Sequence, residues 1–368
     1  MRWEAIVAAA VVVGASPIVA CSLLTSFDDI SPRATESDAA TTDAMGEGGG
    51  GEGGCAHVRW PDPPAATGAG ADLGELTSAL IELRVFDPIV QGRPQGYDLD
   101  GLCTCPEAPA CAGAKRGEPC DPANTGVDNA GDGLFRTLSQ QGLSLDDTGL
   151  RTGIQKGQYG VIVRLSGYDG ERNDPEVKVA VLNAVGVNGD GGMPREDGND
   201  QWLADDESLL DGRFPTYFSS KAYVRDGVLV AELLRLILRL RVPTGGGNYT
   251  LVELDLRNSH LVARLGARVG KGIALSEGRI AGRVPVGALL NQAMRSGACR
   301  DSPIYEALKP TVCAARDLPL DPSKDGRDLP CDSLSAAVGF TSGPAALAPA
   351  SGTRTDPSPC PIVADECP

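Results

Sequence analysis

Histidine is almost missing from this chain: only His57 and His260 occur among 368 residues. That removes most imidazole-based chemistry, from Ser–His–Asp triads to His-rich metal centres. His57 borders a low-complexity stretch and is poorly placed to act as a base. His260 falls between two strand-like runs and reads as a turn residue with a structural or solvent role. No G-x-S-x-G elbow and no H-E-x-x-H pair occurs, and the glycine runs carry no P-loop lysine. Aromatics are scarce at 4%, so few ring platforms exist for a sugar or a base. Positive charge is the minority: 33 Lys and Arg stand against 49 Asp and Glu, a net charge of −16. A nucleic-acid partner is excluded, because a phosphate backbone needs a basic face and no dense basic patch offsets the balance. Long apolar runs are also missing. The one extended stretch, Ala5 to Ala20, is interrupted by Gly14, Ser16 and Pro17. It falls short of the roughly 20 apolar residues that a spanning helix needs.

Glycine (47) and proline (27), by contrast, are abundant, which points to many turns and a loop-rich, β-rich fold. The start, "MRWEAIVAAAVVVGASPIVAC", has the order of a signal peptide: a charged residue, an apolar stretch, then small residues. Residues 31–54 follow with almost no large apolar side chain and a Gly-rich tract, a composition that cannot bury enough surface to order itself. The chain therefore divides into a signal peptide (1–20), a flexible tether (21–54), a Cys-rich loop with short helices (55–157), a β-rich core (158–298) and a Cys-containing helical and irregular C-terminal segment (299–368).

The run Ile18-Val19-Ala20-Cys21 resembles the lipobox of bacterial lipoproteins. That resemblance implies a Cys21 linked through its sulfur to diacylglycerol and exposed as the mature N-terminus, with the membrane as partner through the lipid anchor. Ordinary secretion with cleavage near Ala20 and an uncleaved helix are the rival readings. Ser22 stands where Asp would imply inner-membrane retention, which implies an outer-membrane lipoprotein on either the periplasmic or the cell-surface side. The segments "CSLLTSFDDI", "YDLDGLCTC", "GVDNAGDGL" and "PCDSLSAAVGFTSGPAAL" together resemble uncharacterised lipoproteins of myxobacterial type. This second resemblance implies an envelope protein and brings no activity with it.

Eleven cysteines occur. Setting Cys21 aside leaves ten, an even number that favours disulfides in an exported chain. Zinc is the rival reading for Cys103, Cys105, Cys111 and Cys120, but their spacing is not that of a zinc ribbon. Local pairs, Cys299 with Cys313 and Cys360 with Cys367, are the expected bridges.

The patterning predicts a mainly β protein with a few helices: an antiparallel β-sandwich or jelly-roll-like core plus disulfide-rich loops. "TSALIELRVFD", "YGVIVRLSGYDG" and "EVKVAVLNAVGV" alternate as strands do. In "LLRLILRLRVP", Leu234, Leu236, Leu238, Leu240 and Val242 form the expected buried face, with Arg235, Ile237, Arg239 and Arg241 opposite. "GLFRTLSQQGLSLDDTGLRTGIQKG" predicts two short helices broken at Gly142. Val286, Leu289, Leu290 and Ala293 lie on one helix face, and Ser302-Pro303 is an N-cap with proline at the first helical position. The last twenty residues are expected to drape over the surface.

Two acidic regions carry the candidate sites. Asp98, Asp100, Asp121, Asp128 and Asp132, set among turn glycines, offer the hard oxygen ligands that calcium takes. Turn-building is the competing reason for Asp, Asn and Gly at these positions. Trp202, with Asp197 and Asp200, forms a second candidate, a ligand loop. The leading functional expectation is a binding or structural module with a glycan or an envelope protein as partner. A carboxylate-dependent glycan hydrolase and a calcium-stabilised adhesive domain are the alternatives. No catalytic residue is singled out, and calcium is the one cofactor considered.

Overall fold

The computed structural model describes residues 57–65, 70–85, 95–102, 111, 126–140, 147–187, 193–245, 248–353 and 360–368. Cys21 and the tether lie outside them, as do Cys55, Cys103, Cys105, Cys120 and Asp121. Among the described residues, no helix is long and apolar enough to cross a membrane.

The chain opens its fold with β1 (Leu76–Arg84), then α1 (Ala130–Gln140) and α2 (Asp147–Gln155). The sheet continues through β2 (Gly160–Ser166), β3 (Asp174–Val187) and β4 (Gln201–Asp205) to the small hairpin of β5 (Leu209–Leu210) and β6 (Phe214–Pro215). It resumes with β7 (Tyr217–Arg225) and the three long strands β8 (Val228–Gly245), β9 (Asn248–Val269) and β10 (Gly272–Pro285). Helices α3 (Val286–Arg295) and α4 (Pro303–Ala314) then precede β11 (Ser333–Pro344) and β12 (Ala346–Gly352).

The mainly β, antiparallel character is therefore as expected, and the pairing has a further property. Eight strands follow one another as β3-β2-β1-β11-β10-β9-β8-β7, and β7 pairs back onto β3. Every pairing around this cycle is antiparallel. The ladder thus closes on itself and leaves no free edge within the ring. β4 extends β3 beyond the point where β7 leaves it, and β12 adds to β4 in parallel. Strands from before residue 158 and after residue 298 complete the ring, so the segments distinguished by composition share one sheet.

Alternation explains what fills the ring. Val161, Val163 and Leu165 of β2, Val177, Val179 and Val181 of β3, and Leu236, Leu238 and Leu240 of β8 all join one core with residues of the other five strands. Leu134, Phe135 and Leu138 of α1 and Leu150 and Ile154 of α2 enter the same core, with α2 packed on both β1 and β8. Outward positions carry Arg164, Lys178, Arg235 and Arg257. This polarity is the reverse of a lipid-facing barrel, whose apolar residues point outward.

Two expectations are corrected by the packing. Leu234 is 78% exposed, while Leu233 and Leu236 are buried. Asn258 of β9 takes a φ of 45° at a break in the β9–β10 register, and the alternation of β8 shifts by one position although its register with β9 is kept: Leu233 faces Ser259 and Arg235 faces Arg257. His260 is likewise not a turn residue; it lies within the continuous strand β9, opposite Glu232.

The bridges also differ from the local pairs expected. Cys299 pairs with Cys360, Cys313 with Cys367, and Cys111 with Cys331. Cys299 precedes α4 and Cys313 lies near its end. A twelve-residue helix is about 18 Å long, far beyond the ~7 Å that a disulfide can span. The described residues 360–368 are irregular and mostly exposed, and they are fixed in place. Two bridges pin them, and Asp365 is buried against Tyr305 and Lys309 of α4. The start of α4 is as expected: Ser302 Oγ accepts from Tyr305 N–H, with Pro303 at the first helical position.

Candidate functional site

The segment 95–102 crosses the outer face of the long strands. Tyr97 packs there against Tyr223, Val230, Val262, Ala281 and Ala337, with Trp60 and Val58 from the preceding segment over it. Trp60 also lies flat on His260, with ring centroids 3.5 Å apart. Both residues are thereby spent on packing, and burial lowers the His260 pKa to about 4. Backbone bonds from Asp98 N to Val58 O and from Asp128 N to Tyr97 O tie the three segments together. This layering brings Asp98 and Asp100 against Asp128, which precedes α1.

One carboxylate oxygen from each of Asp98, Asp100 and Asp128 lies within 4.8 Å of those from the other two. Asp98 and Asp128 are 1% and 3% exposed. Asp98 Oδ2 meets His57 Nδ1 at 2.6 Å and Arg59 Nε at 3.4 Å, while Oδ1 accepts from Gly101 N–H at 2.6 Å. Asp128 Oδ2 accepts from Leu99 N–H at 2.7 Å. Asp100 Oδ1 accepts from Leu102 N–H at 2.8 Å, and its Oδ2 is buried with no hydrogen-bond partner.

Crowding of like charge in a dry place disfavours ionisation. Burial pushes the Asp100 carboxyl up to about 7, with the charges of Asp98 and Asp325 adding to the effect. Burial likewise raises Asp128 well above the usual carboxylate range, assisted by Asp100 and Asp317. The cation facing this cluster is Arg283, itself buried. Its Nη1 and Nη2 both bond Asp325 at 2.6 Å, and they reach Pro319 O and Leu99 O at 2.6 and 3.0 Å.

Of the five predicted calcium ligands, the structure thus gathers Asp98, Asp100 and Asp128. Asp132 is not among them: it sits in the first turn of α1 and pairs with Arg136 at 2.8 Å. Asp121 lies outside the described residues. Sequence reasoning missed Arg283, Asp317 and Asp325, which come from the far end of the chain; no local spacing relates them to Asp98. Three carboxylates can supply part of the 6–8 oxygen shell of a calcium ion, with backbone carbonyls and water as the remainder.

The second candidate dissolves. Trp202 is part of β4 and lies buried against Ile162, Leu182, Ala184 and Ala204. Gly160 makes room for it: a Cβ there would stand 2.9 Å from the indole ring. The crevice beside it holds about 10 Å³, the space of one water. Asp200 Oδ2 accepts from the N–H groups of Arg195 and Glu196, both at 2.7 Å, and Asp197 Oδ1 accepts from Asn199 N–H at 3.0 Å. These two acids build a turn, and the ring is closed to any ligand. Further along, Asp205 and Glu207 both bond Arg239, and Asp206 accepts from Thr353. No protein-family model matches this chain, and no curated protein and no solved structure matches it either.

Proposed function

We propose that this chain is a lipid-tethered cell-envelope protein, acylated at Cys21, whose folded body is a binding or structural module. The observation that carries the reading is the set of three disulfides among the described residues, two of which lock the C-terminus onto the region of α4. Such bonds persist in oxidising compartments outside the cytosol. Two or more acyl chains at Cys21 provide stable attachment where one would be marginal, and the Gly-rich tether gives the body reach. Mass spectrometry of the N-terminal peptide from the membrane fraction tests this. A diacylglyceryl Cys21 at the mature N-terminus is expected, and Cys21→Ser releases the protein from membranes. An intact leader with reduced thiols in the cytosol would refute it.

A second reading, calcium stabilisation, is favoured by Asp100 Oδ2, an oxygen buried beside two other carboxylates without a partner. A divalent cation there would replace the protons that burial now favours and balance the charge of the ionised carboxylates. Melting in millimolar calcium against melting in EGTA decides it. A higher Tm in calcium, absent from Asp100→Asn, is expected; identical melting in both buffers overturns the reading. The hydrolase alternative gains no support from Asp205, Asp206 and Glu207, which are tied into ion pairs and hydrogen bonds.

A further inference from the structure

The outer face of β2, β3 and β7 carries an open trough of about 260 Å³, bordered by Glu75 just before β1 and by the β5–β6 hairpin. Cross-strand register builds it. Arg164 of β2 stands opposite Ala180 of β3, and Ala180 stands opposite Phe218 of β7. Neighbouring strands are about 4.8 Å apart, so a methyl floor separates a guanidinium wall from a phenyl wall. Lys178 comes from the next outward position of β3, and Arg213 and Phe214 reach the trough from the hairpin.

Two properties set this surface apart. Phe214 and Phe218 are 65% and 49% exposed, unusual in a chain that has only six phenylalanines, and they stand beside one trough. Exposed aromatics gathered in this way mark a contact surface more often than scattered ones do. The second property is charge. Arg164 is paired with Glu75, its Nε remaining buried and without a partner. Lys178 and Arg213 have no carboxylate partner among the described residues. The chain as a whole carries −16, so unpaired cations clustered beside phenyl rings are a local reversal of the protein's field.

We propose that this trough binds an acidic glycan, a chain of sugars bearing carboxylates. A pyranose offers an apolar C–H face to stack on Phe218 or Phe214, and its carboxylate lies at the ring edge, where Lys178, Arg213 and Arg164 supply charge-assisted hydrogen bonds. Glu75 accepts from hydroxyl groups. The trough is open, which suits a segment of a polymer passing through it better than an engulfed small molecule. The inference rests neither on the lipid at Cys21 nor on calcium at the acidic cluster.

Calorimetric titration of the full chain with oligogalacturonate, neutral galactose oligomers and polyglutamate tests it. Binding of the oligogalacturonate alone is expected, weakening as salt rises. Phe218→Ala and the double variant Lys178→Ala/Arg213→Ala should each weaken it by about tenfold or more. Their Tm should hold, because all three side chains are exposed, and a substitution away from the trough, Leu234→Ser, should leave binding intact. Absence of oligogalacturonate binding overturns the proposal. So does neutral-oligomer binding of equal strength, affinity indifferent to both trough variants, or polyglutamate binding as tightly, which would assign the surface to an acidic peptide.

Discussion

Asp100 and Asp365 are both largely shielded from water, and their carboxyls are driven in opposite directions from the same ordinary value of 3.8. Asp100 rises to about 7; Asp365 falls to about 2. For Asp100 burial is the largest cause, and for Asp365 hydrogen bonds outweigh it. Asp365 Oδ1 accepts from Lys309 Nζ and Oδ2 from Tyr305 O–H, both at 2.7 Å, and Arg300 stands 3.7 Å away. Those hydrogen bonds, with Lys309 the largest contributor, favour the charged form. Asp100 has one backbone donor, a partnerless oxygen and two acids beside it. Burial raises a carboxyl pKa unless hydrogen bonds and nearby cations outweigh it.

The largest effect in this comparison comes from removing the counter-ion of the acidic cluster. Arg283→Met leaves the largely shielded Asp325 without its cation and withdraws a positive charge that favours the ionised form of Asp100. A loss of about 3–5 kcal/mol is expected, measured by urea unfolding. Arg283→Met combined with Asp325→Leu removes both charges and should recover part of that loss. A single variant as stable as the parent would mean that Arg283 does not hold this region together.

The next is a matter of pH and has a definite sign. Asp100 titrates near 3.8 unfolded and near 7 folded, so the folded state binds more protons between those values. In EGTA its contribution is fully present below about pH 4 and is lost as pH rises toward 7. The gap in pKa corresponds to on the order of 4 kcal/mol against the charged form. Asp100→Asn cannot ionise and should flatten that decline, gaining on the order of 2 kcal/mol over the parent at neutral pH. His260 works the other way, because its folded pKa of about 4 lies below its ordinary 6.5; it adds stability as pH rises across that interval. Asp365 contributes above 3.8, and its share is lost as pH falls toward 2. Tm profiles of the parent, Asp100→Asn and His260→Phe separate these contributions. An Asp100→Asn profile in EGTA that follows the parent's course from pH 4 to 7 would contradict the account of Asp100.

How much of this could be read from the chain follows the range of the interactions. The strands were legible because alternation is local, and so were both helix pairs and the Ser302 cap. What escaped is set by contacts between distant residues. Leu234 was misplaced because the alternation shifts where Asn258, opposite it on β9, takes a positive φ. Trp202, in an acidic run, looked like a platform; only the proximity of Gly160 and Leu182 shows it to be a core residue. Asp98, Asp100 and Asp128 were legible as a set because turn residues crowd that stretch. Their counter-ion Arg283 lay inside a run that reads as an ordinary strand. Lys178, Phe214 and Phe218 were not singled out at all, since their common trough exists only once β7 closes onto β3.

The smallest effects come from dissecting Asp365, where the partners differ in exposure. Tyr305 is buried, and burial raises its own pKa to about 12, so its hydroxyl remains a donor at all ordinary pH. Tyr305→Phe strands one carboxylate oxygen and should cost about 1.5 kcal/mol. Lys309→Met should cost less, about 0.5–1 kcal/mol, since the ammonium is 28% exposed and water screens it. Arg300 can also close the remaining distance and take its place. The cost of Lys309→Met should therefore grow in an Arg300→Ala background, which a double-mutant cycle measures. Strict additivity of the two would show that Arg300 plays no part, and would leave Lys309 and Tyr305 as the whole reason this acid ionises so readily where Asp100 does not.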